Sequence, residues 1–197
     1  MTHRRAPARH LDQGQWPARY ADRLLVVCPR CGGRAEVVPR PGLPALEYFG
    51  ELLFRPRRLI CGGCGASAEW TAPRRDGGLV AAQLGGTRDP FFGRPLWLQT
   101  RCAGRVLWAY NAEHVDALAD YVRATLREGG TGATRAMFPR LPRWMKSSAR
   151  RTEVLAGLRR LRAMGDLSAP ADRSDAAHER DDRPRRHGAR YFRSSPY

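Results

Sequence analysis

A chain of 197 residues with 42% hydrophobic content has material for one modest core, and no apolar run in it approaches the length of a membrane-spanning helix. Its formal net charge of +16 and isoelectric point near 11.1 set the expectation of an anionic partner. Lys146 is the single lysine among 35 basic residues, a skew that a GC-rich genome also produces, so the position of the charge says more than its total. Residues 21–165 hold 24 basic and 12 acidic side chains, which puts the excess on the part expected to fold.

Residues 1–20 mix His, Arg, Pro, Gly and Gln without apolar periodicity and read as a flexible lead. No apolar stretch follows Met1, so no secretory signal is expected and a cytoplasmic location is inferred. Leu24–Val27 reads as a strand running into Cys28-Pro29-Arg30-Cys31-Gly32, and residues 34–38 as the strand leaving that turn. Residues 58–60 and 67–71 frame Cys61-Gly62-Gly63-Cys64-Gly65 in the same way. A two-residue gap lets both sulfurs of a turn converge on one point, and glycine after the second cysteine lets the backbone curl back toward the thiolates. The expectation is a zinc ribbon over residues 21–72, with Cys28, Cys31, Cys61 and Cys64 as ligands of one structural ion. Four thiolates close the coordination sphere, so this ion is not expected to be catalytic. A redox Cys-x-x-Cys opens a helix, which neither pair does, and a reducing compartment disfavours disulfides. Between the pairs, Pro39, Pro41, Pro44 and Pro56 break regular structure, and residues 46–54 read as a short helical or irregular excursion.

After a polar link at 73–78, a second unit is expected over residues 79–165. Residues 96–101 and 106–110 read as two strands around Ala103-Gly104. Trp97, Gln99, Arg101, Val106, Trp108 and Tyr110 then share one face, which either stacks nucleobases or packs as core, the second being the commoner outcome. Asn111 is an N-cap for a helix through residue 128, with Val115, Leu118, Ala119, Val122 and Leu126 on one face and Gly129-Gly130 as its end. Residues 131–142 read as a linker. A last helix over 150–164 carries an apolar stripe of Val154, Leu155, Leu158 and Leu161. Arg150, Arg151, Arg159, Arg160 and Arg162 on that helix, Lys146 just before it and Arg101 on the hairpin are the candidate nucleic-acid contacts, against the plainer reading of a solvated helix face. Residues 166–197 are polar, nearly balanced in charge, and read as a disordered tail.

Cys102 reads as a small residue suited to a turn rather than a nucleophile, since no histidine accompanies it in sequence. His114 reads as a surface or hydrogen-bonded residue rather than a ligand. No glycine-rich phosphate loop, His-Glu-x-x-His helix or paired-carboxylate motif occurs, which lowers the expectation of an enzyme.

The two cysteine turns resemble those of transcription-factor-IIB-type zinc ribbons. Over residues 24–164 the chain resembles a bacterial family of small zinc-ribbon-containing proteins of unknown function. The resemblance rests on Asp89-Pro90-Phe91-Phe92-Gly93, Leu96-Trp97-Leu98-Gln99-Thr100, Leu107-Trp108-Ala109-Tyr110-Asn111, Leu141-Pro142-Arg143-Trp144-Met145-Lys146 and Arg151-Thr152-Glu153-Val154-Leu155. It implies a zinc site at the four cysteines and a conjoined strand–helix unit, and nothing about activity. Members are sometimes labelled after a replication-restart helicase, whose motor motifs this chain lacks.

The combined expectation is an α+β protein: a zinc ribbon of two cysteine-knuckle hairpins joined to a small antiparallel β unit with two C-terminal helices and disordered ends. The expected role is a zinc-binding, non-catalytic module contacting nucleic acid, or a nucleic-acid-processing complex, through arginines. The alternative is a protein–protein adaptor with a purely structural zinc site; no membrane partner is expected.

Overall fold

The structure, a computed structural model, describes residues 9–12, 14–129, 136–178 and 192–194. In chain order its regular elements are β1 (Arg9–Asp12), β2 (Leu24–Val27), β3 (Arg34–Pro39), β4 (Arg57–Ile60), β5 (Ser67–Trp70), β6 (Arg74–Arg75), β7 (Gly78–Val80), β8 (Gln99–Cys102), β9 (Arg105–Trp108), α1 (Ala112–Arg123), β10 (Leu126–Gly129), α2 (Arg143–Lys146), α3 (Arg151–Met164) and β11 (Phe192–Ser194). The fold is mixed α+β. Apart from the parallel β1–β10 pair, the strand pairings among the described residues are antiparallel. No helix among those residues is long and apolar enough to cross a membrane.

Strands β2 to β5 form a four-stranded meander in sequence order. All four residues of Leu24–Val27 are buried, so this apolar run serves both faces of its strand. The reason lies at its other edge. Leu25 N–H donates to Tyr110 O at 2.9 Å, Trp97 N–H to Leu25 O at 2.8 Å, and Val27 N–H to Pro95 O at 2.9 Å. The residues before β8 and after β9 therefore complete the sheet beside β2. One hydrophobic cluster runs through both parts and contains Val26, Val37 and Leu59 together with Trp97, Leu107, Val122 and Leu158.

The buried guanidinium of Arg57 ties β4 to the surrounding loops. It donates to Asp22 O at 2.9 Å and Leu52 O at 3.2 Å, and lies 4.6 Å over the Phe91 ring. Burial pulls its pKa down to about 10. Residues 49–53 form a 3-10 turn, as the proline-broken excursion between the cysteine pairs was expected to supply.

The β8–β9 hairpin turns on Ala103 and Gly104, whose φ angles of 53° and 68° are the left-handed pair that a two-residue turn requires. Helix α3 braces this turn. The Glu153 carboxylate accepts from Ala103 N–H at 2.7 Å, and Arg150 donates to Ala103 O at 3.3 Å. Gly157 faces the hairpin so closely that a Cβ there would lie 2.9 Å from Leu107 and 3.3 Å from the Cys102 sulfur. Trp97, Gln99 and Tyr110 are buried, so most of the aromatic face is core rather than a stacking surface, and Trp108 is half-buried.

Several expectations are corrected. Helix α1 starts on its Asn111 cap as expected, with the side chain accepting from His114 N–H at 2.9 Å, but stops at Arg123. Ala124 turns extended and buried, and the chain continues as β10 beside β1, so Gly129 ends a strand and not a helix. Residues 14–20, expected as flexible lead, are packed: Ala18 and Tyr20 are buried, and Tyr20 stacks on His114 at 4.8 Å. Residues 166–178, expected as disordered tail, lie against the protein, with Ser168 O accepting from Arg34 N–H at 3.0 Å and Ala176 buried. Residues 1–8 and 13 of the expected lead, 130–135 of the expected helix end and linker, and 179–191 and 195–197 of the expected tail lie outside the described residues.

Candidate metal centre

The two cysteine turns are built alike. Cys28 N–H donates to Gly33 O at 2.8 Å and Gly32 N–H to Cys28 O at 3.1 Å; Cys61 N–H donates to Ala66 O and Gly65 N–H to Cys61 O, both at 2.9 Å. Gly32 and Gly65 carry φ of 76° and 69°, a conformation in which any Cβ would be strained. Pairing β3 with β4 brings the knuckles together. The Cys28 and Cys64 sulfurs are 3.7 Å apart, as are those of Cys31 and Cys61, and all four lie within 4.8 Å of one another. A disulfide needs about 2.05 Å, so these are four free thiols. A tetrahedral ion with metal–sulfur bonds of about 2.3 Å has sulfur–sulfur edges of about 3.8 Å. The four donors fit such an ion, and the cluster can hold a metal.

The electrostatics match that use. Burial resists ionisation of Cys28, yet the Cys31 and Arg30 amides and the Cys61 and Cys64 thiols outweigh it and bring its pKa down to about 7. The Gly33 amide favours the Cys31 thiolate, but burial and the Cys64, Cys28 and Cys61 sulfurs together push its pKa up to about 11. The Cys28 thiolate forms readily in this cage while that of Cys31 is opposed, which is the situation a central cation resolves.

The segment after α3 covers the first knuckle. Besides the Arg34–Ser168 bond, the Arg34 guanidinium donates to Gly165 O. A Cβ on Gly33 would meet Ser168 O at 2.7 Å, so glycine at this position permits the close approach. Composition alone carries no sign of this cover, because main-chain atoms make most of it.

Comparison of the chain with protein-family models, with curated proteins and with solved structures finds no match. Its chemistry is therefore read from its own residues.

The seven basic candidates do not form one surface. Arg160 donates to Thr100 Oγ1 at 3.4 Å and Arg101 O at 3.1 Å, and Arg150 reaches Ala103, so Arg101, Arg150 and Arg160 gather at one end of the hairpin. Arg105, not singled out from sequence, stands opposite Cys102 at the same end and is exposed. Lys146 donates to Pro139 O at 2.9 Å, Arg151 to Ala124 O at 3.5 Å, and Arg162 pairs with Asp116 at 3.5 Å. Arg159 is exposed and takes part in none of these contacts.

Cys102 is buried beneath α3, with its sulfur 3.7 Å from Glu153 O and its thiol pushed up by burial, then by the Glu153 charge. It has the surroundings of a core residue, not of a nucleophile.

His114 is not at the surface. It is buried, its Nδ1 accepts from Tyr110 N–H at 3.2 Å, and Nε2 faces the Met137 sulfur at 3.1 Å, which fixes a neutral ring with its proton on Nε2. Tyr20, Trp108 and Tyr110 surround the ring, and burial drives its pKa down to about 3. An unfolded histidine titrates near 6.5, so below that pH the unfolded chain takes a proton that the fold refuses. Native stability should fall with pH between about 6.5 and 4, by up to about 1.4 kcal/mol per unit from this group. Urea unfolding of the protein and of His114→Asn, whose amide oxygen replaces the Nδ1 acceptor, checks this: the variant should show the shallower pH dependence. Parallel curves would rule out a histidine contribution.

Proposed function

We propose that this is a zinc-ribbon protein whose single zinc, held by Cys28, Cys31, Cys61 and Cys64, is structural. The observation that carries the reading is the convergence of the four sulfurs, all within 4.8 Å of one another, on two like knuckles. An all-thiolate set favours zinc among common divalent ions and leaves no position for water or substrate, so the module is non-catalytic. Thiolate ligation suits a reducing compartment such as the cytoplasm. The resemblance to the bacterial zinc-ribbon family is consistent with this assignment.

The module's work is binding, and its partner is nucleic acid or a complex built on it. The hairpin end supports this reading, since Arg101, Arg105, Arg150 and Arg160 gather there on a chain of net charge +16. Such a cluster attracts phosphates without reading sequence. Purified protein should bind short oligonucleotides with an affinity that falls steeply with salt, and Arg150→Gln with Arg160→Gln should flatten the salt dependence. Absence of binding at low salt would remove this part of the reading and leave the zinc site untouched.

One feature favours the adaptor reading instead. Leu46, Tyr48 and Phe49 are exposed together on the excursion between the cysteine pairs, and each is more than a third accessible. A discrete protein partner that co-purifies after nuclease treatment, and is lost on changing Tyr48 and Phe49 to serine, would establish it.

A further inference from the structure

Beside the hairpin lies a cleft of about 510 Å³ that the proposed phosphate contacts leave unused. Distant parts of the chain form it: Trp16 just before the 3-10 turn Pro17–Tyr20, Trp108 on β9, Met137, and Trp144 on α2, with His114 also in the lining. Arg105 and Arg140 line it too, both exposed, and among the described residues no aspartate or glutamate does. Trp108 and Trp144 are each half-buried. Among the described residues neither indole N–H has an acceptor, whereas the buried Trp97 indole donates to Met164 O at 3.0 Å.

These groups define what the cleft accepts. Indole faces stack on flat π systems, free indole N–H groups seek acceptors, and the exposed Arg105 guanidinium seeks negative charge. The volume falls in the range of small-ligand pockets. A flat, acceptor-rich, anionic group meets all three demands, while an acyl chain or apolar peptide uses neither the donors nor the charge. Arg105 belongs both to this cleft and to the arginine-bearing hairpin end. We propose that the cleft between Trp108 and Trp144 receives one unpaired base of a single-stranded nucleic acid, its flanking phosphates held by Arg105 and the hairpin-end arginines. This rests on the nucleic-acid reading above and makes the preferred partner a single strand. A paired base inside a duplex presents no free face to the indoles.

The test uses the full-length, zinc-loaded chain and three labelled probes: an oligothymidylate, the same strand with abasic positions, and a duplex of equal length. Base stacking predicts that removing the bases weakens binding about ten-fold or more. Trp144→Leu should weaken oligothymidylate binding by a similar factor without affecting the abasic strand or duplex, and Trp144→Phe should restore most of the loss. If Trp144→Leu does not fold, quenching of tryptophan emission by unlabelled oligothymidylate, but not by the abasic strand, decides in its place. Equal binding of base-bearing and abasic strands, with salt dependence intact, overturns the base pocket and leaves the arginine reading standing. Loss of binding to all three probes at low salt overturns both.

Discussion

The Cys28→Ser protein is expected to purify without its metal and without the β2–β5 sheet. Cys28 sits at the end of β2 and its sulfur lies 3.7 Å from that of Cys64. A serine hydroxyl does not replace a thiolate on zinc, and three remaining sulfurs bind far more weakly than four. In small zinc modules the ion contributes about 10–16 kcal/mol of apparent folding free energy at neutral pH. A domain of ordinary stability has only about 5–15 kcal/mol to lose. Metal analysis should find one zinc per chain in the parent protein and none in the variant. Far-ultraviolet circular dichroism should show the lost sheet, and a strong chelator should reproduce that loss in the parent. Cys102→Ser is the internal control, because Cys102 lies under α3 outside the sulfur cluster, and it should keep the metal. A Cys28→Ser protein with native dichroism and a full complement of metal would refute the structural role.

Replacing Asp89 should produce the second-largest loss. Its carboxylate is fully buried in the Asp-Pro-Phe-Phe-Gly loop and accepts the main-chain N–H of Phe91 at 3.0 Å, of Phe92 at 2.7 Å, and of Arg94. Burial pushes its carboxyl above the usual carboxylate range, against the pull of the Phe92, Arg94 and Phe91 amides. The loop presents Phe91 to the Arg57 guanidinium and the Trp70 ring, so the carboxylate organises the packing of this loop on the β2–β5 sheet. Alanine leaves three amide donors without a side-chain acceptor, at about 1–3 kcal/mol each when buried. A total loss of about 3–6 kcal/mol is expected in denaturant unfolding of zinc-loaded protein. Asparagine keeps one oxygen for Phe91 and Phe92 but turns its amide toward the Arg94 N–H, donor against donor, and should lose about half as much. A loss below about 1 kcal/mol for Asp89→Ala would mean that the amides find other partners.

The residues that were legible in sequence are those whose local chemistry leaves few choices. The Cys-x-x-Cys-Gly turns fix the strands on either side of them, and the strands β2 to β5 match the expected segments to within a residue or two. Ala103-Gly104 marks the hairpin and Asn111 the start of α1 for the same local reason. The errors arose where distant contacts decide. Leu126 continues the helical spacing of Val115, Leu118 and Val122, but the chain instead pairs with β1, about 115 residues earlier, a partner that no local pattern announces. Residues 166–178 offer few apolar side chains and are held largely through main-chain atoms that every sequence possesses. The burial of Tyr20 and His114 against each other joins residues far apart in the chain. Trp16, Ala18 and Tyr20 alternate in type and frame Pro17, a signal in the expected flexible lead that composition alone passes over.

The hydrogen bonds along the outer edge of β2 bear on how this polypeptide can be handled. A fragment cut after residue 72 keeps all four clustered cysteines yet strips Leu25 and Val27 of the partners that residues 95, 97 and 110 provide. Its exposed strand would then recruit a neighbouring copy, so the cysteine-bearing stretch is no portable cassette, and grafting it into another protein invites strand swapping and aggregation.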